Sequence, residues 1–145
     1  MAKFRFAFLL QRAEELREDA ATAMQKAQSS WLAARSKLEQ VEAFRQEYRH
    51  RLTGSGKGIT VAQWRDYQLF LAKLDVAAQQ QAEEVARQEL AYQSCLAQWQ
   101  ECEKKVKAFE ALHDRHLQAE QKRENRNEQK LLDEFNGRIS APRRH

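Results

Sequence analysis

Apolar residues recur along this chain at alternating steps of four and three, the 3.5-residue period of helices that wind around one another. In the first half the series runs Leu9, Ala13, Leu16, Ala20, Ala23, Ala27, Trp31, Ala34, Leu38, Val41, Arg45, Tyr48 and Leu52, with Arg45 its one charged member. In the second half it runs Trp64, Tyr67, Leu71, Leu74, Ala78, Gln81, Val85, Gln88, Tyr92, Cys95, Trp99, Cys102, Val106 and Phe109. Gln81 and Gln88 are polar members of the series, a kind of residue that fixes register at some cost in stability. A 3.5-residue repeat sustained this long predicts a left-handed supercoil.

Between the two series lies Thr53-Gly-Ser-Gly-Lys-Gly58, which holds three of the four glycines of the chain. Glycine costs a helix interior about 1 kcal/mol relative to alanine, so the cluster marks one reversal point. Thr60 and Gln63 then have the spacing of a capping box, the start signal of the second helix. The expected fold is all-α, a long antiparallel two-helix coiled-coil hairpin whose second helix is longer than the first. Its parts within a single domain, 1–145, are helix 1 at about 5–52, the turn at 53–59, helix 2 at about 60–136 and a flexible tail at 137–145. Folding back at the glycines places Tyr48 near Trp64, Val41 near Leu71 and Leu9 near Cys102. It leaves about Lys104 to Phe135 without a facing helix, with Val106, Phe109, Leu112 and Leu117 in need of cover.

The composition fits this reading and narrows the function. The 145 residues are 32% charged, with a single proline at 142. Mean hydropathy is -0.86, a helix-rich profile rather than that of a large globule. The net charge is +4, yet acids and bases interleave at helical spacing, as in Glu39 and Glu42 with Arg45 and Arg49. Only Lys104, Lys105 and Lys107, and the terminal Arg143-Arg144, cluster, so no basic stripe for nucleic acid is expected. Cys95 and Cys102 share a face about 10 Å apart, too far for an internal disulfide, and read as small seam residues of a reduced, cytosolic protein. The apolar run Phe6 to Leu10 is too short for a signal peptide or membrane span.

Candidate chemistry is sparse. Gly-Ser-Gly-Lys-Gly58 lacks the spacing of a phosphate-binding loop, no Ser or Thr follows Lys57, and no strand precedes it. Glu110-Ala-Leu-His113 has the Glu-x-x-His spacing of di-iron bundles, but a second copy is missing. His113 and His116 are expected on a solvated or partner-facing strip. No catalytic residue, metal site, cofactor or small-molecule substrate is expected. More informative are Phe44, Tyr48, Trp64, Tyr67 and Phe70 near the reversal, more aromatic surface than a two-helix strip encloses. They form either a wide tip core or a docking surface.

Four stretches in order resemble the FliJ family, small coiled-coil proteins of the bacterial flagellar type III export apparatus. They are Phe4-Arg-Phe6 with Leu9-Leu10, Val41 to Leu52, Trp64 to Leu74, and Asn125 to Phe135. The resemblance implies a non-enzymatic stalk, cytoplasmic and peripheral to the inner membrane at the flagellar base. Its terminal end would sit in the hexameric export ATPase FliI, and its tip would approach the export-gate protein FlhA, with escort of export chaperones as a further role. The gate-binding positions it implies are Lys37, Val41, Phe44, Tyr48, Phe70, Leu74, Ala77 and Gln81. The ring-binding positions are Leu9, Arg12, Leu16, Val106, Phe109, Arg126, Lys130 and Phe135. Three other readings stay open: the equivalent stalk of a virulence injectisome, a structural coiled coil that self-associates through Val106 to Leu117, and a hairpin that binds nucleic acid.

Overall fold

A computed structural model describes residues 2–54 and 58–140. Two helices, α1 (Ala2–Gly54) and α2 (Val61–Ser140), form a helical hairpin, and α2 is the longer, 80 residues against 53. No strand occurs among the described residues. The reversal involves Gly58, whose φ of 99° lies in the left-handed region that glycine adopts without strain. The turn residues 55–57, the proline at 142 and the terminal basic pair lie outside the described residues. Thr60 starts α2 as the capping box requires. Its backbone N–H donates to Gln63 Oε1 at 3.1 Å, and the Gln63 N–H donates back to Thr60 Oγ1 at 3.2 Å.

The α2 seam follows the sequence series. Half-buried or buried residues step by fours and threes from Tyr67 through Ala78, Val85, Tyr92, Trp99 and Val106. The step then continues past Phe109 onto His113, His116 and Glu120. The two histidines therefore lie on the seam rather than on a solvated strip. In α1 the series holds from Ala27 to Leu52 but differs towards the start, where Leu10, Arg17 and Met24 are half-buried and Leu9, Leu16 and Ala23 are exposed. A strict heptad demands Arg17 at that position, and its charge is met by Glu103 Oε2 at 3.2 Å. Choosing Leu16 for its apolarity shifts the phase by one residue.

Tertiary contacts divide the chain into two units, Glu18–Glu101 and Met1–Arg17 with Cys102–His145. In the first unit Trp31 stacks on Tyr92 with centroids 5.4 Å apart and planes 19° apart, while Arg35 lies over the indole at 5.5 Å. Ala34 and Ala78 are buried, and Gln81 Nε2 donates to the Ala34 carbonyl at 3.0 Å, which satisfies a polar seam residue across the two helices. Asp75 accepts from Arg49 at 3.2 Å and forms an ion pair with Arg45 at 3.1 Å.

In the second unit Val106 is fully buried and Ala13 nearly so, and Phe6 packs against His116 at 5.6 Å between centroids. Facing cover thus extends well beyond Lys104, to about Glu120, because α1 begins at Ala2 and the helices meet further along α2 than the sequence reading places them. Tyr48 meets Tyr67 and Phe70 rather than Trp64. The physical reason is the lean of helical side chains towards their own N-terminus. In an antiparallel pair this lean carries α1 side chains away from the turn and α2 side chains towards it, so contacts link higher residue numbers than backbone levels do. The helix also persists to Ser140, through Gly137, where the sequence suggested a tail.

Candidate protein-docking surfaces

The residues flanking the turn gather one ring cluster from both helices. Tyr48 is its centre, 4.8 Å from Phe70 and 5.2 Å from Tyr67 between centroids. Phe44 meets Phe70 edge-on at 6.4 Å and 84°, and lies 6.4 Å from Tyr48. The pairs adopt the tilted and edge-on geometries that ring quadrupoles favour. Cluster formation does not bury the rings: Phe44 stays 49% exposed and Phe70 40%. Trp64, 46% exposed, stands outside the cluster. Partial burial among these rings raises the Tyr48 phenol above its ordinary value, and the neighbouring Tyr67 and Asp66 push the same way. The hydroxyl is therefore a neutral donor and acceptor at physiological pH.

The cluster combines seam and surface residues. Tyr48 and Tyr67 line the seam, as core residues do, while Phe44 and Phe70 present aromatic surface to solvent. Of the other positions implied for the gate, Val41 and Leu74 are half-buried on the seam. Lys37 and Ala77 are exposed. Lys37 and Gln81 share a shallow groove with Gln40 and Glu84. Hydrogen bonds from Gln88 and Arg87, followed by the Arg87 charge, hold the Glu84 carboxyl below its usual range, so this groove keeps a fixed negative charge beside Lys37.

In the unit that holds the chain termini, the positions implied for the ring differ in what they can offer. Leu9, Arg12 and Leu16 are exposed on α1, and Arg126, Lys130 and Phe135 on α2. Phe109 is half-buried, and Val106 is fully enclosed between the helices. A side chain without accessible surface binds nothing outside its own chain, so Val106 acts here as core. Among the described residues, no three His, Cys, Asp or Glu side chains are grouped to hold a metal ion, and no helix is long and apolar enough to cross a membrane.

Exposed rings beside the turn in one unit and mixed surface charge in the other invite comparison with known proteins. The family model for the flagellar FliJ protein matches residues 2–145. The chain belongs to the flagellar FliJ family. This FliJ-family chain is 31% identical over 124 residues to the flagellar FliJ protein of Salmonella typhi, covering 85% of this chain and 84% of that one. It is 30% identical over 124 residues to the flagellar FliJ protein of Escherichia coli K12, with the same coverage, 85% and 84%. Family membership supports a flagellar, export-related role.

Two features of this FliJ-family chain lie outside the implied site residues. Tyr67 belongs to the ring cluster although the implied gate set omits it, and the signal for it was its place in the α2 series, one turn before Phe70. The ion pairs Arg17–Glu103 and Arg45–Asp75 fall four heptads apart on each helix. The spacing of like residues, Arg17 with Arg45 and Asp75 with Glu103, is the same on both strands, and that equality was the available clue.

Proposed function

We infer that this chain is a non-enzymatic coiled-coil stalk of the flagellar type III export apparatus. Its terminal end inserts into the hexameric export ATPase FliI and promotes ring assembly and turnover. Its turn-proximal end contacts the export-gate protein FlhA, through Lys37, Val41, Phe44, Tyr48, Phe70, Leu74, Ala77 and Gln81, with Tyr67 added. Escort of export chaperones belongs to the same reading, as does a cytoplasmic site peripheral to the inner membrane. The observation that carries it is the half-exposed Phe44–Tyr48–Phe70 cluster, drawn from both helices. Aromatic anchors on a rigid element suit a partner groove, because few side-chain torsions remain to be frozen on binding. The flagellar match over residues 2–145 favours the flagellar system over the injectisome.

In the unit that holds the chain termini, Leu9, Arg12, Leu16, Arg126, Lys130 and Phe135 are the exposed surface offered to the ring, with the half-buried Phe109. Mixed charge there suits polar contacts that can be exchanged between ring subunits better than a dry permanent interface. The gate half of the reading is tested with Phe44→Ala and Phe70→Ala. Each is expected to weaken binding to purified gate protein about tenfold or more, the range of an interface anchor, with helicity by circular dichroism retained. Unchanged gate affinity in the double variant sinks that half. A collapse of helicity instead would show that the rings serve as core.

A further inference from the structure

The final stretch of α2 carries an apolar surface that no contact described so far uses. Leu131, Leu132, Phe135 and Ile139 are between 54% and 67% exposed. Steps of three and four place them on one side of the helix, where Leu131, Leu132 and Phe135 line a shallow groove with Glu128 and Arg138. This stripe does not prolong the seam that meets α1. Continued by fours and threes from Glu120, that seam would fall on Arg123, Asn127, Lys130 and Glu134, all polar. Nor does α1 reach it, since Phe6, near its start, already packs on His116. The apolar face has changed phase just where the intramolecular partner ends, which is the pattern of a helix built for a different neighbour.

We propose that this stripe docks onto the same stripe of a second copy of the chain, with the two helices antiparallel. Charge complementarity selects this occupant and this direction. Glu128 and Arg138 flank Leu131, Leu132 and Phe135 along the helix, so antiparallel pairing centred on residue 133 sets Leu131 against the second copy's Phe135. It also sets each Glu128 beside the other chain's Arg138. Parallel pairing would instead oppose like charges, which is unfavourable. Asp133, at the centre, is on the far side of the helix and accepts from Gln129 at 3.1 Å, so its charge stays out of the interface. Glu134 also lines the groove, and its approach to the second copy's Glu134 beside the axis is a like-charge contact that weakens the pairing.

About 15 residues of helix on each side give a contact roughly 22 Å long. That is at the small end for protein interfaces, below the roughly 1,200 Å² of a stable complex, so the dimer is weak and concentration-dependent. Self-association of this stripe is independent of the ring reading, although both use Phe135.

Sedimentation velocity on the full chain, from about 1 to about 500 µM, is expected to show conversion from monomer to dimer with a dissociation constant of order 100 µM. Leu132→Glu with Phe135→Glu is expected to weaken it at least about tenfold, with helicity unchanged, since both side chains are more than half exposed in the single chain. Glu128→Arg or Arg138→Glu alone weakens the dimer several-fold, and the two together restore it. A monomer throughout the range overturns the proposal, as does a dimer indifferent to the apolar substitutions. A charge double swap no better than the singles overturns the antiparallel direction. Export-ATPase stimulation, measured separately on the same variants, reports on the ring reading without deciding this one.

Discussion

Val106 and Tyr48 show the two ways a single residue contributes here. Val106 is the one large side chain fully enclosed among the described residues, in a fold whose core is a narrow strip. Val106→Ala removes two buried methyl groups' worth of packing and is expected to cost about 2 kcal/mol, read from chemical denaturation followed by circular dichroism. A much smaller loss would mean that the surrounding helices close over the gap. Tyr48 contributes through a proton. Its phenol is harder to ionise in the folded chain than in the unfolded one, so the folded state holds the proton more tightly. Stability is then full below the ordinary phenol value of 10.0 and falls as pH rises through and beyond it. Tyr48→Phe is expected to flatten that part of the profile, measured as the urea midpoint at several pH values, and an unchanged slope would remove Tyr48 as its source.

At the scale of the elements, the seam of α2 was legible almost residue by residue, because apolar or small residues occupy nearly every step from Tyr67 to Phe109. It became illegible where polar residues take the steps, at His113, His116 and Glu120. His116 is covered by the Phe6 ring, and its Nε2 lies 3.2 Å from Glu120 Oε1 without the alignment of a hydrogen bond. In α1 the same limit displaced the phase at Arg17, whose pairing with Glu103 only a facing helix reveals. The direction of the hairpin was read from the glycine cluster. The pairing read from the same cluster was displaced, since it depends on the lean of side chains rather than on the midpoint of the turn.

The paired charges carry a prediction of their own. Glu103→Arg and Arg17→Glu should each destabilise the hairpin, and the double exchange should recover most of the loss, with a coupling of up to about 1 kcal/mol for a part-exposed pair. Purely additive losses in a double-mutant cycle would show that the pair does not set register. The same cycle on Arg45 and Asp75 is expected to be blunted, because Arg49 also reaches Asp75 and can substitute.

For the whole molecule, the fold class and the family were readable from the order of four weakly specific strings, because a heptad hairpin with one glycine-marked reversal leaves few other arrangements. The docking surfaces were readable only in part. The aromatic excess was evident by count, yet which rings stay exposed depends on how Tyr48 fills the seam between Tyr67 and Phe70. Membership of a flagellar family, exposed rings in one unit and charged surface in the other combine in the proposed stalk that joins an ATPase ring to an export gate. That reading is most directly tested by adding the full chain to the purified export ATPase FliI and following ATP turnover together with hexamer content. The expected result is higher turnover and more hexamer on addition of the chain, both lost with Arg126→Glu and Lys130→Glu. Turnover and assembly unchanged by a saturating excess of the chain, with no co-elution, would contradict it.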